Sequence, residues 1–187
     1  GGINGHPVEL TVHDNRGLPS ETAKIIESLI TQRIPVIIGP LLSKMVPATI
    51  ETCSNKDILI ISPTISTDLV KDLDDNFLRL IPESSFQGEA IATAVLAKKH
   101  KKIAIIYDIG NKEYTQPIVD TFSEKLQASS TEIAYINNLN NRVKNSNDVA
   151  IEILESGCDS LFFITSSIDA GQIAQQVWKK KKGIQLY

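Results

Sequence analysis

The chain has 187 residues, 42% of them hydrophobic, with a formal net charge of -3. That is apolar content enough for one or two small buried cores, and too little positive charge for a nucleic-acid surface, which ordinarily shows as a basic face. No apolar run approaches the ~20 residues that a membrane-spanning helix requires.

Strands and helices alternate along the chain in a βαβ pattern. Residues 8–13 read as a strand and residues 20–31 as a helix whose stripe is Ile25, Ile26, Leu29 and Ile30. Residues 36–38 are a strand, 46–53 a helix, 58–61 a strand and 77–80 a short strand. The strands are continuous Val/Ile/Leu runs, as expected when both faces of a parallel sheet are covered. A boundary falls near Pro82, giving one unit over 1–82 and a second over 83–187. The second unit opens with a helix started by the capping box Ser84-Ser85-Phe86-Gln87, with Ile91, Ala94 and Val95 on one face.

A second βα series follows. Residues 103–107 are a strand, 116–128 a helix with Ile118, Val119, Phe122 and Leu126 inward, and 132–137 a strand. The asparagine-rich stretch 137–147 is a loop or a bulged edge. Residues 148–156 are a helix closed by Gly157, and 161–164 a strand. Residues 170–181 are a helix burying Ile173, Ala174, Val177 and Trp178, and 184–187 a last strand. Lys179-Lys180-Lys181-Lys182 before Gly183 reads as a solvated helix end whose charges complement the helix dipole. Cys53 and Cys158, far apart and among apolar neighbours, read as buried free thiols rather than a disulfide or a metal pair.

Enzyme motifs are absent. Gly39-Pro40-Leu41-Leu42-Ser43-Lys44 has the outline of a phosphate loop but lacks its second glycine, and no G-x-G-x-x-G or G-x-S-x-G occurs. His6, His13 and His100 have no metal-ligand spacing and read as solvated surface. His13 and Asp14 are neighbours that would point to opposite faces of a strand, which is poor geometry for a base and its orienting partner. No cofactor is expected.

The informative stretches are Val36-Ile37-Ile38-Gly39-Pro40-Leu41-Leu42-Ser43 and Ile58-Leu59-Ile60-Ile61-Ser62-Pro63-Thr64-Ile65-Ser66. Each is a strand that ends in small and hydroxyl residues, so Ser43, Thr64 and Ser66 converge outside the carboxyl ends of neighbouring parallel strands, where ligands of open α/β sheets bind. With Pro47 opening a helix, Ser43 offers its hydroxyl and nearby amides to an anion such as a carboxylate. Ser66 and the Thr64 carbonyl suit an ammonium beside it. Any one of these serines alone could be a helix cap or a turn residue; their joint placement favours a ligand.

These residues also carry a family resemblance. The run Gly1-Gly2-Ile3-Asn4-Gly5-His6-Pro7-Val8-Glu9-Leu10 with His13-Asp14, then Ile38-Gly39-Pro40, Ile61-Ser62-Pro63-Thr64, Asn76-Phe77-Leu78-Arg79-Leu80-Ile81-Pro82, Gln87-Gly88 and Ile105-Ile106-Tyr107-Asp108 resemble the type I periplasmic binding proteins. Within them the branch is that of the leucine/isoleucine/valine-binding proteins of ABC importers. The resemblance implies an α/β fold of two doubly wound parallel-sheet lobes that close on an amino acid, a non-enzymatic role, a periplasmic or extracytoplasmic location and a membrane permease as partner. It assigns Ser43 to the ligand carboxylate, Thr64 and Ser66 to the ammonium, and Tyr114 to an aromatic position facing the cleft. Tyr114 follows a longer loop over 109–113 and precedes Thr115 where the family has glycine. Ser167 falls where the branched-chain binders place a tyrosine, which weighs against a leucine-type ligand. The resemblance also implies that the family's first strand, central in the first sheet, precedes Gly1 and that the rest of both lobes follows Tyr187, so both lobes are expected to be incomplete. Open strand edges of that kind invite self-pairing, which makes a homodimer a further expectation. Two alternatives stand beside amino-acid import: a sensory or receptor domain of the same fold, and a binder of urea or a short amide.

Overall fold

The computed structural model describes residues 2–72, 76–140 and 142–187. It contains two parallel sheets. In chain order the elements are α1 (Pro19–Thr31), β1 (Val36–Ile38), α2 (Val46–Cys53), β2 (Leu59–Ser62), β3 (Phe77–Arg79), α3 (Ser84–Ala97), β4 (Lys102–Asp108), α4 (Lys112–Gln127), β5 (Glu132–Leu139), α5 (Ser146–Glu155), β6 (Ser160–Ile164), α6 (Ser167–Lys180) and β7 (Gln185–Leu186). Short 3₁₀ turns at Ser43–Met45, Asp68–Val70 and Ile109–Asn111 lie in the loops that follow β1, β2 and β4.

The second sheet has the order β5-β4-β6-β7, all parallel. Its core explains the continuous apolar strands. Successive side chains of a strand point to opposite faces. Ile103 and Ile105 accordingly join α3 and α4 in a cluster with Ala92, Val95, Ile118, Val119, Phe122, Leu126, Phe162 and Ile164. Ala104 and Ile106 pack the other way, with Ala150, Ile153, Leu161, Ile173 and Val177 of α5, β6 and α6. Each fully buried branched or aromatic side chain contributes about 1.5–3 kcal/mol of transfer free energy, so this two-sided core dominates the stability of the fold. Gly88 of α3 lets the α4 backbone approach so closely that a Cβ there would lie 2.4 Å from the Ile118 carbonyl oxygen.

The first sheet has the order β1-β2-β3, with Ile37 beside Ile60 and Ile60 beside Phe77. That face is covered: Ile60 is buried, and Val46, Ile65 and Val70 form a small core against which Ile50 and Phe77 pack. The opposite face departs from the expectation that both would be covered. Val36, Ile38, Leu59 and Leu78 stand there 42%, 69%, 38% and 49% exposed.

Several local expectations are corrected. Residues 8–13 form no strand: Val8, Leu10 and Val12 are exposed, since a strand is defined by its ladder and no described strand lies alongside this segment. His13 and Asp14 therefore lie in irregular chain, where Asp14 accepts the Arg16 amide at 2.8 Å. The capping box at α3 does not form. Glu83 is the N-cap without a side-chain bond, because the Ser84 hydroxyl is drawn instead to Ser66 and the Gln87 side chain to Tyr114. Helix α4 begins at Lys112, so Pro117 lies inside its second turn, where it forgoes one i→i−4 backbone bond, rather than at the helix start. Trp178 of α6 and Ala94 of α3 are exposed, each just off the inward stripe of its helix. His100 is no surface histidine: its ring lies 3.2 Å from Asp159 through Nδ1 and 3.0 Å from the Tyr187 hydroxyl through Nε2. Both cysteines are free, Cys158 buried and Cys53 half-buried, and burial pushes both thiols up.

Candidate functional site

The site is built on the carboxyl ends of the strands. After β1 the chain turns through Gly39, at a φ of 131° that suits a residue without a Cβ, and reaches the 3₁₀ turn Ser43–Met45 before α2. After β2 it runs through 63–67. Ser62, fully buried, ties the two loops: its hydroxyl donates to the Pro40 carbonyl at 2.8 Å and accepts from the Ile65 amide at 3.2 Å. Thr64 adds a second tie, its hydroxyl donating to the Leu41 carbonyl at 2.8 Å. The loops that carry Ser43 and Thr64 are thus held together by side-chain bonds.

Ser43 is buried at the start of its 3₁₀ turn. Ser66 is buried as well, but its surroundings belong to the crossover between the sheets. Its hydroxyl is 2.9 Å from that of Ser84, and its carbonyl accepts both the Ser84 amide at 2.6 Å and the Ser84 hydroxyl at 2.9 Å. Arg79 reinforces this junction by donating to the Thr67 carbonyl at 2.9 Å and to the Glu83 carboxylate at 3.1 Å. The Ser85 amide donates to Asp68 at 3.2 Å.

From the second sheet, α4 packs against both Ser43–Met45 and Asp68–Val70. Tyr114 lies in its first turns, half-buried, with its hydroxyl donating to the Gln87 side chain at 3.1 Å. Burial pushes the Tyr114 phenol up, which keeps it a neutral donor near pH 7. Strand order reverses at β4, whose neighbours are β5 on one side and β6 on the other; in such sheets this switch point is where ligands sit. The loop after β4 presents Asn111, whose Oδ1 accepts the Lys44 amide at 2.9 Å across the two sheets. The loop after β6 holds Thr165, whose Oγ1 is buried without a hydrogen-bond partner among the described residues.

The structure therefore places Ser43 and Thr64 in tied loops after β1 and β2, binds Ser66 into the crossover, and sets α4, which carries Tyr114, against Ser43–Met45. Ser167 is set apart: it is exposed at the start of α6, where Ser166 caps the helix by accepting the Asp169 amide at 3.1 Å. Asn111 and Thr165 were missed by sequence reasoning. Asn111 carried one local signal, its place in the loop of unusual length before Tyr114; Thr165 carried none. Among the described residues no group of three His, Cys, Asp or Glu could hold a metal ion, and no helix is long and apolar enough to cross a membrane.

This arrangement, two parallel sheets with their switch-point loops meeting, agrees with the comparisons to known proteins. The family model described as the receptor family ligand binding region matches residues 1–181. The chain belongs to this family. Among curated proteins it is 18% identical over 165 residues to the leucine-, isoleucine-, valine-, threonine- and alanine-binding protein of Pseudomonas aeruginosa, covering 87% of this chain and 44% of that one. Among solved structures it is similar to the branched-chain amino acid transporter substrate binding protein of Streptococcus pneumoniae in complex with isoleucine. There the TM-score is 0.88 at 22% identity, over 100% of this chain and 53% of that one. It is also similar to an ABC transporter solute binding protein of R. palustris in complex with benzoate, with a TM-score of 0.81 at 18% identity, over 93% of this chain and 49% of that one. At these identities the likeness is one of fold, that of the type I periplasmic binding proteins. The chain spans about half the length of the relatives it matches.

Proposed function

We propose that this chain is the ligand-binding region of an extracytoplasmic solute-binding protein of an ABC importer, non-enzymatic, taking a small carboxylate-bearing molecule between a lobe at 1–82 and a lobe at 83–187. The observation that supports the reading is the meeting of Ser43–Met45 with the loop after β4, which puts the carboxyl-end loops of the two sheets against each other. The ligands named for two fold relatives, isoleucine and benzoate, differ in size and amine but share a carboxylate. The Ser43 hydroxyl is a donor of the kind a carboxylate needs, and the Lys44 amide beside it, now held by Asn111, would be a second; charge-assisted hydrogen bonds contribute about 1.5–3 kcal/mol each.

The finer reading is an amino acid. Thr64 through its carbonyl and Ser66 through its hydroxyl would receive the ammonium, Tyr114 would face the side chain, and Ser167 would lie at the outer rim. Closure would turn about the crossover near Pro82, which the Ser66–Ser84 and Arg79–Glu83 hydrogen bonds brace. A membrane permease would then receive the loaded protein.

The test is a thermal-shift screen against the amino acids, benzoate, urea and short amides. A ligand at ~100 times its dissociation constant adds about 2.7 kcal/mol of stability, a clear rise in melting temperature. A rise with amino acids that Ser43→Ala abolishes supports the finer reading. A rise with benzoate but no amino acid keeps the carboxylate and removes the ammonium; no rise with any of them overturns the proposal. The second reading is a sensory domain using the same cleft, favoured by the family's description as a receptor region. Uptake of labelled ligand in vesicles carrying the permease separates the two.

A further inference from the structure

We propose that Asn111 is a latch between the lobes, holding the cleft shut in the absence of ligand by occupying the Lys44 amide that a carboxylate would otherwise take. The latch rests on the proposed two-lobe reading and its competitive half on the proposed carboxylate site; the Asn111–Lys44 bond itself is geometry.

Asn111 is the N-cap residue of α4, a position where asparagine ordinarily folds back to accept an amide of its own helix. Here it makes no such bond. Its side chain reaches instead to a residue 67 positions away in sequence, where Oδ1 accepts the Lys44 amide at 2.9 Å. The loop is shaped to hold it out. The Gly110 amide donates to the Asp108 carboxylate at 2.8 Å, and the hydroxyl of buried Thr115 donates to the Asp108 carbonyl at 2.8 Å, fixing both flanks of Asn111.

The Lys44 amide lies in the opening turn of a helical segment, where amides have no acceptor within the turn and depend on one from outside. It is one donor, and it follows directly on Ser43. A neutral amide oxygen and a ligand carboxylate would compete for it, and the carboxylate would prevail because a charge-assisted bond is the stronger. Asn111 thus acts as an internal surrogate: it keeps the lobes together when the cleft is empty and sets a threshold that a ligand must exceed. A latch of this kind lowers apparent affinity by the fraction of molecules it holds unavailable.

The experiment uses the 187-residue chain with Asn111→Ala and Asn111→Asp. Exchange of the Lys44 amide, followed by NMR, should speed up about fivefold in Asn111→Ala, the factor one hydrogen bond of ordinary net strength is worth, and stay slow in Asn111→Asp, whose carboxylate still accepts. The radius of gyration from solution scattering should rise in the alanine variant only. Unchanged Lys44 exchange and radius in Asn111→Ala overturn the latch. Calorimetric titration with L-isoleucine should show the alanine variant binding about fivefold tighter than the parent; equal or weaker binding overturns the competition. If no form binds isoleucine while Lys44 exchange still responds to Asn111→Ala, the latch holds and the amino-acid reading fails.

Discussion

The Ser62 hydroxyl joins two loops that leave neighbouring strands, donating to the Pro40 carbonyl and accepting from the Ile65 amide in a fully buried position. Ser62→Ala removes the partner of two buried backbone groups at once. A buried polar group left unpaired costs about 1–3 kcal/mol, so we expect destabilisation in that range, measured by urea unfolding. The Ser43 loop should also lose amide-exchange protection, whereas a purely global effect would lower all amides together.

The closeness of α3 and α4 at Gly88 gives a second prediction. An alanine Cβ would sit 2.4 Å from the Ile118 carbonyl oxygen, which is backbone and cannot rotate away. Helix propensity favours Gly88→Ala by about 1 kcal/mol, but overpacking costs about 1–3 kcal/mol and a forced backbone shift takes it to the upper end. The net should be a loss of stability, read as a fall of a few degrees in melting temperature.

Asp159 supplies a pH dependence. Burial pushes its carboxyl up, but the Lys101 amide, the His100 ring, Ser160 and the Lys102 backbone together hold it below the ordinary value of 3.8. The folded state therefore favours the charged form. Its contribution is present above the unfolded value and lost as pH falls through the lower folded value. Asp159→Asn should be less stable than the parent at neutral pH, and the gap should close on acidification, measured by denaturant midpoints along a pH series.

The thiols give a chemical prediction. Burial pushes Cys53 and Cys158 above the ordinary thiol value, and the thiolate is the nucleophile. A thiol reagent at neutral pH should modify Cys53 more slowly than free cysteine and Cys158 only on unfolding, with both titrating in denaturant. Fast modification of Cys158 in the folded protein would contradict its place beneath α5, where its thiol donates to the Ile153 carbonyl at 3.4 Å.

Much of the fold was legible in the sequence for a specific reason. Strands β4 and β6 carry unbroken apolar runs over 103–106 and 161–164 because Ile103 and Ile105 face one helix layer while Ala104 and Ile106 face the other, and that pattern survives without knowledge of partners. Residues 8–13 alternate Val8, Leu10 and Val12 with polar side chains, a strand-like pattern, but a strand also needs a neighbouring edge, which no local pattern reports. Ser84 and Gln87 match a capping box in spacing, yet tertiary partners Ser66 and Tyr114 draw both side chains away. The same division holds at the site. The placement of Ser43 and Thr64 after β1 and β2 was legible because position after a strand is a local property; the Asn111–Lys44 bond was not, because its partners lie 67 residues apart.

The uneven covering of the first sheet has a practical consequence. Val36, Ile38, Leu59 and Leu78 lie on one bare face, and Val8, Leu10 and Val12 are exposed as well. Contiguous apolar surface and unpaired strand edges are what bring molecules together, and a net charge of only -3 offers little colloidal repulsion. Salt will act on this molecule twice, screening that weak repulsion while strongly hydrated anions such as sulfate tighten apolar contact. Precipitation thresholds in ammonium sulfate will accordingly be set by one side of one small sheet.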